Sequence, residues 1–134
     1  PSPELLAWAK AVLARPDTIS PIHRHEKTYA DRTMSAAEWP KEVSIVMQVF
    51  RIGEIGVAAI PFETFAETGL ELKAKSPVKP MFVIELANGG YGYLPTPEQH
   101  ELGGYETWLG TNRVEKEATR KIVAKLLDLL AKIK

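Results

Sequence analysis

Cysteine is absent from this 134-residue chain. That excludes a disulfide framework, a thiolate nucleophile and a cysteine-based zinc site, so any metal would have to be held by His, Asp, Glu or Tyr. An excess of either charge is missing too. Lys plus Arg and Asp plus Glu number 17 each, for a formal net charge of zero, which leaves no basic field to hold nucleic acid or an anionic membrane. No apolar run approaches the roughly 20 residues of a membrane span. Walker loops, HExxH, GxSxG and a post-strand GxGxxG are all lacking, and with them the commonest local signatures of nucleotide, zinc-protease and serine-hydrolase chemistry. Pro1-Ser2-Pro3-Glu4 is neither a signal peptide nor an initiator methionine, and the chain reads as though cut from something longer.

What is present is an ordinary globular composition, 45% hydrophobic and 25% charged, in a length that suits one domain or a fragment of one. Ser2-Pro3-Glu4 has the form of a helix start, and Leu5, Leu6, Trp8, Ala9, Val12 and Leu13 recur at helical spacing as far as about Ala14, before Pro16. A weaker helical stretch runs from Lys27 to about Ala37. His23 and His25 precede it and read as solvated or hydrogen-bonded side chains. Val43–Ile52 and Ile55–Pro61, separated by Gly53-Glu54, read as a hairpin. Both alternating sets of the first strand are mostly apolar, so it is expected to be covered on both faces. Phe62–Lys75 suggests a helix beginning as the strand ends, and Phe82–Leu86 the next strand, giving a β, α, β order with parallel pairing. Asn112 and Glu115 form a capping-box-like start to a final helix over Val114–Ile133. The predicted fold class is α/β: a mixed sheet with a β-hairpin and a βαβ unit, covered by helices.

The chemistry concentrates in FVIELANGGYGYLPTPEQHELGGYE, Phe82–Glu106. A buried strand breaks at Asn88-Gly89-Gly90 and then sets Tyr91, Tyr93, His100 and Tyr105 on what is expected to be irregular backbone, the usual seat of function on a rigid support. Glu63, at a strand-to-helix junction, would be stabilised as an anion by the helix dipole and would share one sheet edge with this loop. Tyr93 and Tyr105 could donate to a developing oxyanion, and Tyr93 could ligate a metal if deprotonated. The plainer alternatives are a dipole contact for Glu63 and half-buried aromatics with wetted hydroxyls for the tyrosines.

Over about Val43–Leu109 the same residues, in order, resemble the neutral/alkaline, non-lysosomal ceramidase family, in the C-terminal part of its catalytic domain. The family pattern is a strand with an Ile-Gly turn, hydrophobic-Pro-Gly-Glu-Phe opening a helix, a further strand, Asn-x-Tyr-x-x-Tyr-hydrophobic-Thr-Thr, and finally Gln-x-Tyr-Glu. Here these stand as Arg51–Ile55, Ile60-Pro61-Phe62-Glu63-Thr64, Asn88–Tyr93, Leu94–His100 and Gly104-Tyr105-Glu106. Phe62 replaces the family glycine before the glutamate, and Pro95 a threonine. The resemblance implies that Glu63 and Tyr93 are ligands of a catalytic zinc and that Tyr105 steadies the tetrahedral oxyanion of amide hydrolysis. The two remaining zinc ligands are histidines from much earlier in a family chain, and His23 and His25 match no family histidine motif.

The function these residues imply is therefore part of a zinc-dependent amide hydrolase acting on a small-molecule or lipid N-acyl substrate such as N-acylsphingosine, zinc being held by the complete parent protein. Isolated, the chain would be half a site. One of its faces would then rest on the missing N-terminal part or, without it, on self-association. The rival is a catalytically silent α/β binding or scaffold domain that keeps only the fold.

Overall fold

The computed structural model describes all residues from Pro1 to Lys134. The chain divides into two compact units, Pro1–Val43 and Ser44–Lys134.

The first unit is a pair of helices, α1 (Pro3–Ala14) and α2 (Glu26–Ala36). Ser2 caps α1, its hydroxyl accepting from the Leu5 amide at 3.2 Å, and Pro3 opens the first turn, where its missing N–H costs nothing. Ala9 and Val12 of α1 pack on Ala30 of α2, with Met34 beside them. These small side chains let the two helices approach closely. Glu26 is buried, and its carboxylate is satisfied by the Arg15 guanidinium and by the Ile22 amide at 3.2 Å. His23 and His25 are hydrogen-bonded, as expected. The His25 amide donates to His23 Nδ1 at 3.2 Å, and Arg24 Nε donates to His25 Nε2 at 2.6 Å.

The second unit is the expected α/β arrangement. Strands β1 (Gln48–Ile52) and β2 (Ile55–Ala59) form an antiparallel hairpin, and β4 (Met81–Ile84) pairs parallel to β2, giving the order β1-β2-β4. The hairpin turns on Gly53-Glu54; φ is +60° at Gly53 and not positive at Glu54, the pattern of a type II′ turn, which suits strand twist. Helix α3 (Ala66–Lys75) links β2 to β4, and α5 (Ala118–Lys132) packs across the sheet. A second, two-stranded parallel sheet pairs β3 (Glu63–Thr64) with β5 (Tyr93–Leu94). Helix α4 (Pro97–Leu102) and a 3-10 turn at Tyr105–Thr107 follow β5. No helix is long and apolar enough to cross a membrane.

The core gathers Ala58, Ile60, Phe62, Leu72, Met81 and Leu94 against Ile122, Val123, Leu126 and Leu130 of α5. Four expectations from the sequence are corrected here. The first strand begins at Gln48 rather than Val43; Ile45 and Met47 still pack on the core, but no strand pairs with them. Nor is it covered on both faces. Val49 faces the core, whereas Phe50 and Ile52 lie on the opposite face in register with Val57 and Ile55, and β1 is an edge strand. The helix after β2 starts at Ala66, because Phe62 is drawn wholly into the core and the Glu63 amide bonds to the Gly92 carbonyl at 3.0 Å, which requires extended backbone. The final helix starts at Ala118, because Asn112 Oδ1 is spent on the Val114 amide at 2.7 Å in a local turn instead of capping a helix at Glu115.

Phe62 is fully buried, and its ring centroid is 5.7 Å from that of Tyr91. Truncating it to alanine is expected to cost about 3–5 kcal/mol, read as a lower denaturation midpoint in urea with the slope unchanged.

Candidate functional site

The site is built where the parallel strands β2 and β4 end. After β2, Pro61 and Phe62 are buried and carry the chain into β3, placing Glu63 at the sheet edge. After β4, Leu86 (φ +51°) and Asn88 (φ +67°) take up left-handed backbone, uncommon for residues with a side chain. The Leu86 amide donates to Phe62 O at 3.1 Å and the Ala87 amide to Ile60 O at 3.1 Å. These bonds hold the reversal against the buried end of the first branch.

The returning segment is pinned by Gly92. Its φ is +88°, and a Cβ there would stand 2.5 Å from the Thr111 carbonyl oxygen, so only glycine admits this approach. With it in place, Tyr93 donates its amide to Thr111 O at 3.1 Å and pairs with Glu63 in register, Thr64 pairing with Leu94. Leu94 is buried in the core. Alternation along the strand turns Tyr93 the other way, beside Glu63. Glu85 supports the arrangement: its carboxylate accepts from the Thr64 amide at 2.9 Å.

Glu63 and Tyr93 therefore converge. Hydrogen bonding to the Glu63 carboxylate, then that carboxylate's charge, then partial burial, hold the Tyr93 phenol above its ordinary pKa; Tyr105 and Glu106 push the same way. Tyr105, in the 3-10 turn, stands edge-on to Tyr93 with ring centroids 6.0 Å apart at 77°. The three residues that stand out in the sequence are thus brought together. Two of them sit on different backbone from that expected. Glu63 and Tyr93 lie in short strands, not at a helix start or in irregular loop, so Glu63 gains no first-turn dipole contact. His100 lies in α4, and its Nε2 is 3.0 Å from Asn112 Nδ2.

Trp108 joins the site without any signal in the sequence. Its ring meets Tyr105 edge-on at 6.3 Å, and Tyr105 and Trp108 are 45% and 39% exposed, so together with Tyr93 they form an open aromatic wall beside Glu63. Its place four residues after Gly104, at the end of a tight turn, carries no recognisable motif.

As a metal site the arrangement is partial. A carboxylate and a tyrosine set side by side in register supply, once the phenol is deprotonated, two anionic oxygen donors. No group of three or more His, Asp and Glu side chains in the chain stands close enough to hold a metal ion. The residues present fit one side of a four-coordinate centre.

No family model and no curated protein matches this chain. Among solved structures, a neutral ceramidase from Pseudomonas aeruginosa is similar in fold, with a TM-score of 0.50 and 21% sequence identity over 65% of this chain. The likeness is one of fold. The chain spans 15% of that protein's length, so a whole ceramidase is far larger than the part compared.

Removing the charge at Glu63 tests the pairing directly. In Glu63→Gln the Tyr93 hydroxyl is expected to titrate closer to the ordinary tyrosine value than in the wild type, followed by NMR of the Tyr93 ring through alkaline pH. Identical titrations in the two proteins would mean that the two side chains do not meet.

Proposed function

We propose that this chain contributes part of the active site of a ceramidase-like hydrolase, a zinc-dependent enzyme that cleaves an N-acyl amide. The observation that carries the reading is the register of β3 on β5, which sets Glu63 against Tyr93 with Tyr105 beside them. The similarity in fold to a neutral ceramidase supports it.

Glu63 and Tyr93 would hold the ion, with further ligands coming from outside this chain. When bound, zinc supplies Lewis acidity toward water and toward an amide carbonyl. The chain's own residues do the rest of what can be assigned. Before the ion binds, Glu63 bears on the Tyr93 hydroxyl and orients it; once the Tyr93 proton has left, both oxygens would face the ion. Tyr105, braced by Trp108 and Tyr93, offers a hydroxyl to the oxygen on which negative charge grows during attack on the amide. The exposed apolar surface of the aromatic wall suits the hydrocarbon part of a lipid N-acyl substrate.

Zinc content and affinity, measured on the longest chain containing this sequence that expresses, test the reading. One zinc per chain is expected, with Glu63→Gln and Tyr93→Phe each loosening it about 10-fold or more. Because the Tyr93 proton must leave for the ion to bind, wild-type affinity should rise with pH more steeply than that of Tyr93→Phe. Tyr105→Phe should leave zinc binding intact and lower kcat on an N-acyl substrate by about 10²–10³. A chain that binds no zinc, or variants that bind it equally well, would favour a silent binding or scaffold domain.

The open face of the three-stranded sheet fits the same reading. Phe50, Ile52, Phe82 and Ile84 share it, all exposed, and contiguous apolar surface of this kind is ordinarily covered. The remainder of a longer enzyme would cover it. Alone, this chain should self-associate, giving a mass by light scattering that climbs with concentration; a monomer throughout would count against that role for the face.

A further inference from the structure

Tyr93 is held on two sides. Strand β3 pairs with one edge of its backbone, and the segment Thr111-Asn112 with the other, through the Tyr93 amide bond to Thr111 O at 3.1 Å and a parallel bridge between Tyr93 and Asn112. That second segment lies outside any regular element. What fixes it is Asn112, which is buried and almost fully bonded. Its amide donates to Trp108 O at 2.8 Å, its carbonyl accepts from Gly110 at 3.1 Å, and its Oδ1 accepts from the Val114 amide at 2.7 Å.

The last of these bonds settles the chemistry of the next one. An amide N–H can only donate, so the atom of Asn112 facing Val114 is the carboxamide oxygen, and its nitrogen faces His100. Asn112 Nδ2 and His100 Nε2 lie 3.0 Å apart. The nitrogen has only hydrogens to offer, so His100 Nε2 must be the acceptor, and the ring is neutral with its proton on Nδ1. Protonating Nε2 would set two donors face to face. Relief would require Asn112 to turn its carboxamide over, surrendering the Val114 bond that shapes the segment.

We propose that His100 and Asn112 are positioning residues for Tyr93: a neutral imidazole accepting from Asn112 locks the segment that holds Tyr93 in register with Glu63. His100 is half-buried and touches Asn112, acting on Tyr93 only through it. The charged group bearing on the imidazole is Lys116, in the segment before α5, whose ammonium is paired with Glu101 of α4. Burial first, then the Lys116 charge, disfavour the imidazolium. Both act in the direction that the lock requires. The lock itself is a property of the fold. Its bearing on zinc rests on the function proposed above, and the test is therefore made on the metal-free chain.

The experiment is NMR of the wild type, His100→Gln and Asn112→Asp. In the wild type at neutral pH, nitrogen shifts should report His100 with its proton on Nδ1. On acidification, the protection of the Tyr93 amide against exchange should fall about tenfold as His100 titrates, the scale of one hydrogen bond's worth of local opening. His100→Gln keeps an acceptor for Asn112 but cannot titrate, and should hold Tyr93 protection constant over the same range. Asn112→Asp places a carboxylate against the ring and should raise the His100 pKa by about one unit or more. A residue that merely fills space would shift none of these. The proposal is overturned if His100 carries its proton on Nε2, or if Tyr93 protection in the wild type runs parallel to that in His100→Gln. Because tautomer and protection are both read in the wild type and in His100→Gln, the test remains decisive even if Asn112→Asp fails to fold. Loss of the zinc reading leaves it untouched.

Discussion

The register of two very short strands is the constraint on which the rest of the site depends. Glu63 and Tyr93 are 30 positions apart in a chain that could place them anywhere along a loop, yet one parallel pairing sets them side by side. Two residues of ladder cannot hold themselves together in water. The pairing persists because each strand grows from a buried anchor: Phe62, just before β3, and Leu94 of β5 reach into the core while their neighbours face outward. A slip of one residue would turn Leu94 outward and Tyr93 inward, at the cost of an exposed leucine and a buried phenol. Hydrophobic burial therefore chooses the polar geometry, although the carboxylate and the hydroxyl that it brings together lie outside the core.

That logic explains what could be read along the sequence and what could not. The hairpin at Gly53-Glu54, the parallel return of Met81–Ile84 and the apolar stripe of the last helix follow from local pattern, because alternation, turn chemistry and helical spacing are written within a few residues. Glu63 resembles a helix start for the same reason: Pro61 before it and good helix formers after it look like a boundary. What overrides this is Gly92, whose carbonyl accepts the Glu63 amide from 29 residues away. No local preference contains that information. Likewise Asn112, with Glu115 three residues on, looks like a capping box, but its side chain closes a tighter turn that serves the site.

Glu63, Tyr93 and Tyr105 stand out from the residues only as open alternatives, and the roles proposed for them come from the resemblance. Tyrosine is a common core and surface residue, and spacing alone ranks Tyr93 no higher than Tyr91. Tyr91 in fact packs against Phe62, as an aromatic in a long connection usually does. Trp108 carries no local signal and Asn112 a misleading one, because their roles are relational. One braces a ring contributed by a different turn, the other closes a segment against a neighbouring strand, and both effects exist only once the chain has folded.

One contact ties this small site to the order in which the chain is made. The Thr119 hydroxyl, on α5, donates at 2.6 Å to the carbonyl of Pro95, in the buried turn that leads from Tyr93 into α4. Pro95 and Pro97 have no amide to give, so that turn is poor in bonds of its own and takes one from a helix that follows it in sequence. On the ribosome, residues 63–94 would emerge with both side chains of the pair already synthesised but without the bond or the core surface that α5 supplies. The geometry around Tyr93 thus draws on residues made after it, and a chain cut short before residues 118–132 lacks both that bond and the helix's share of the core.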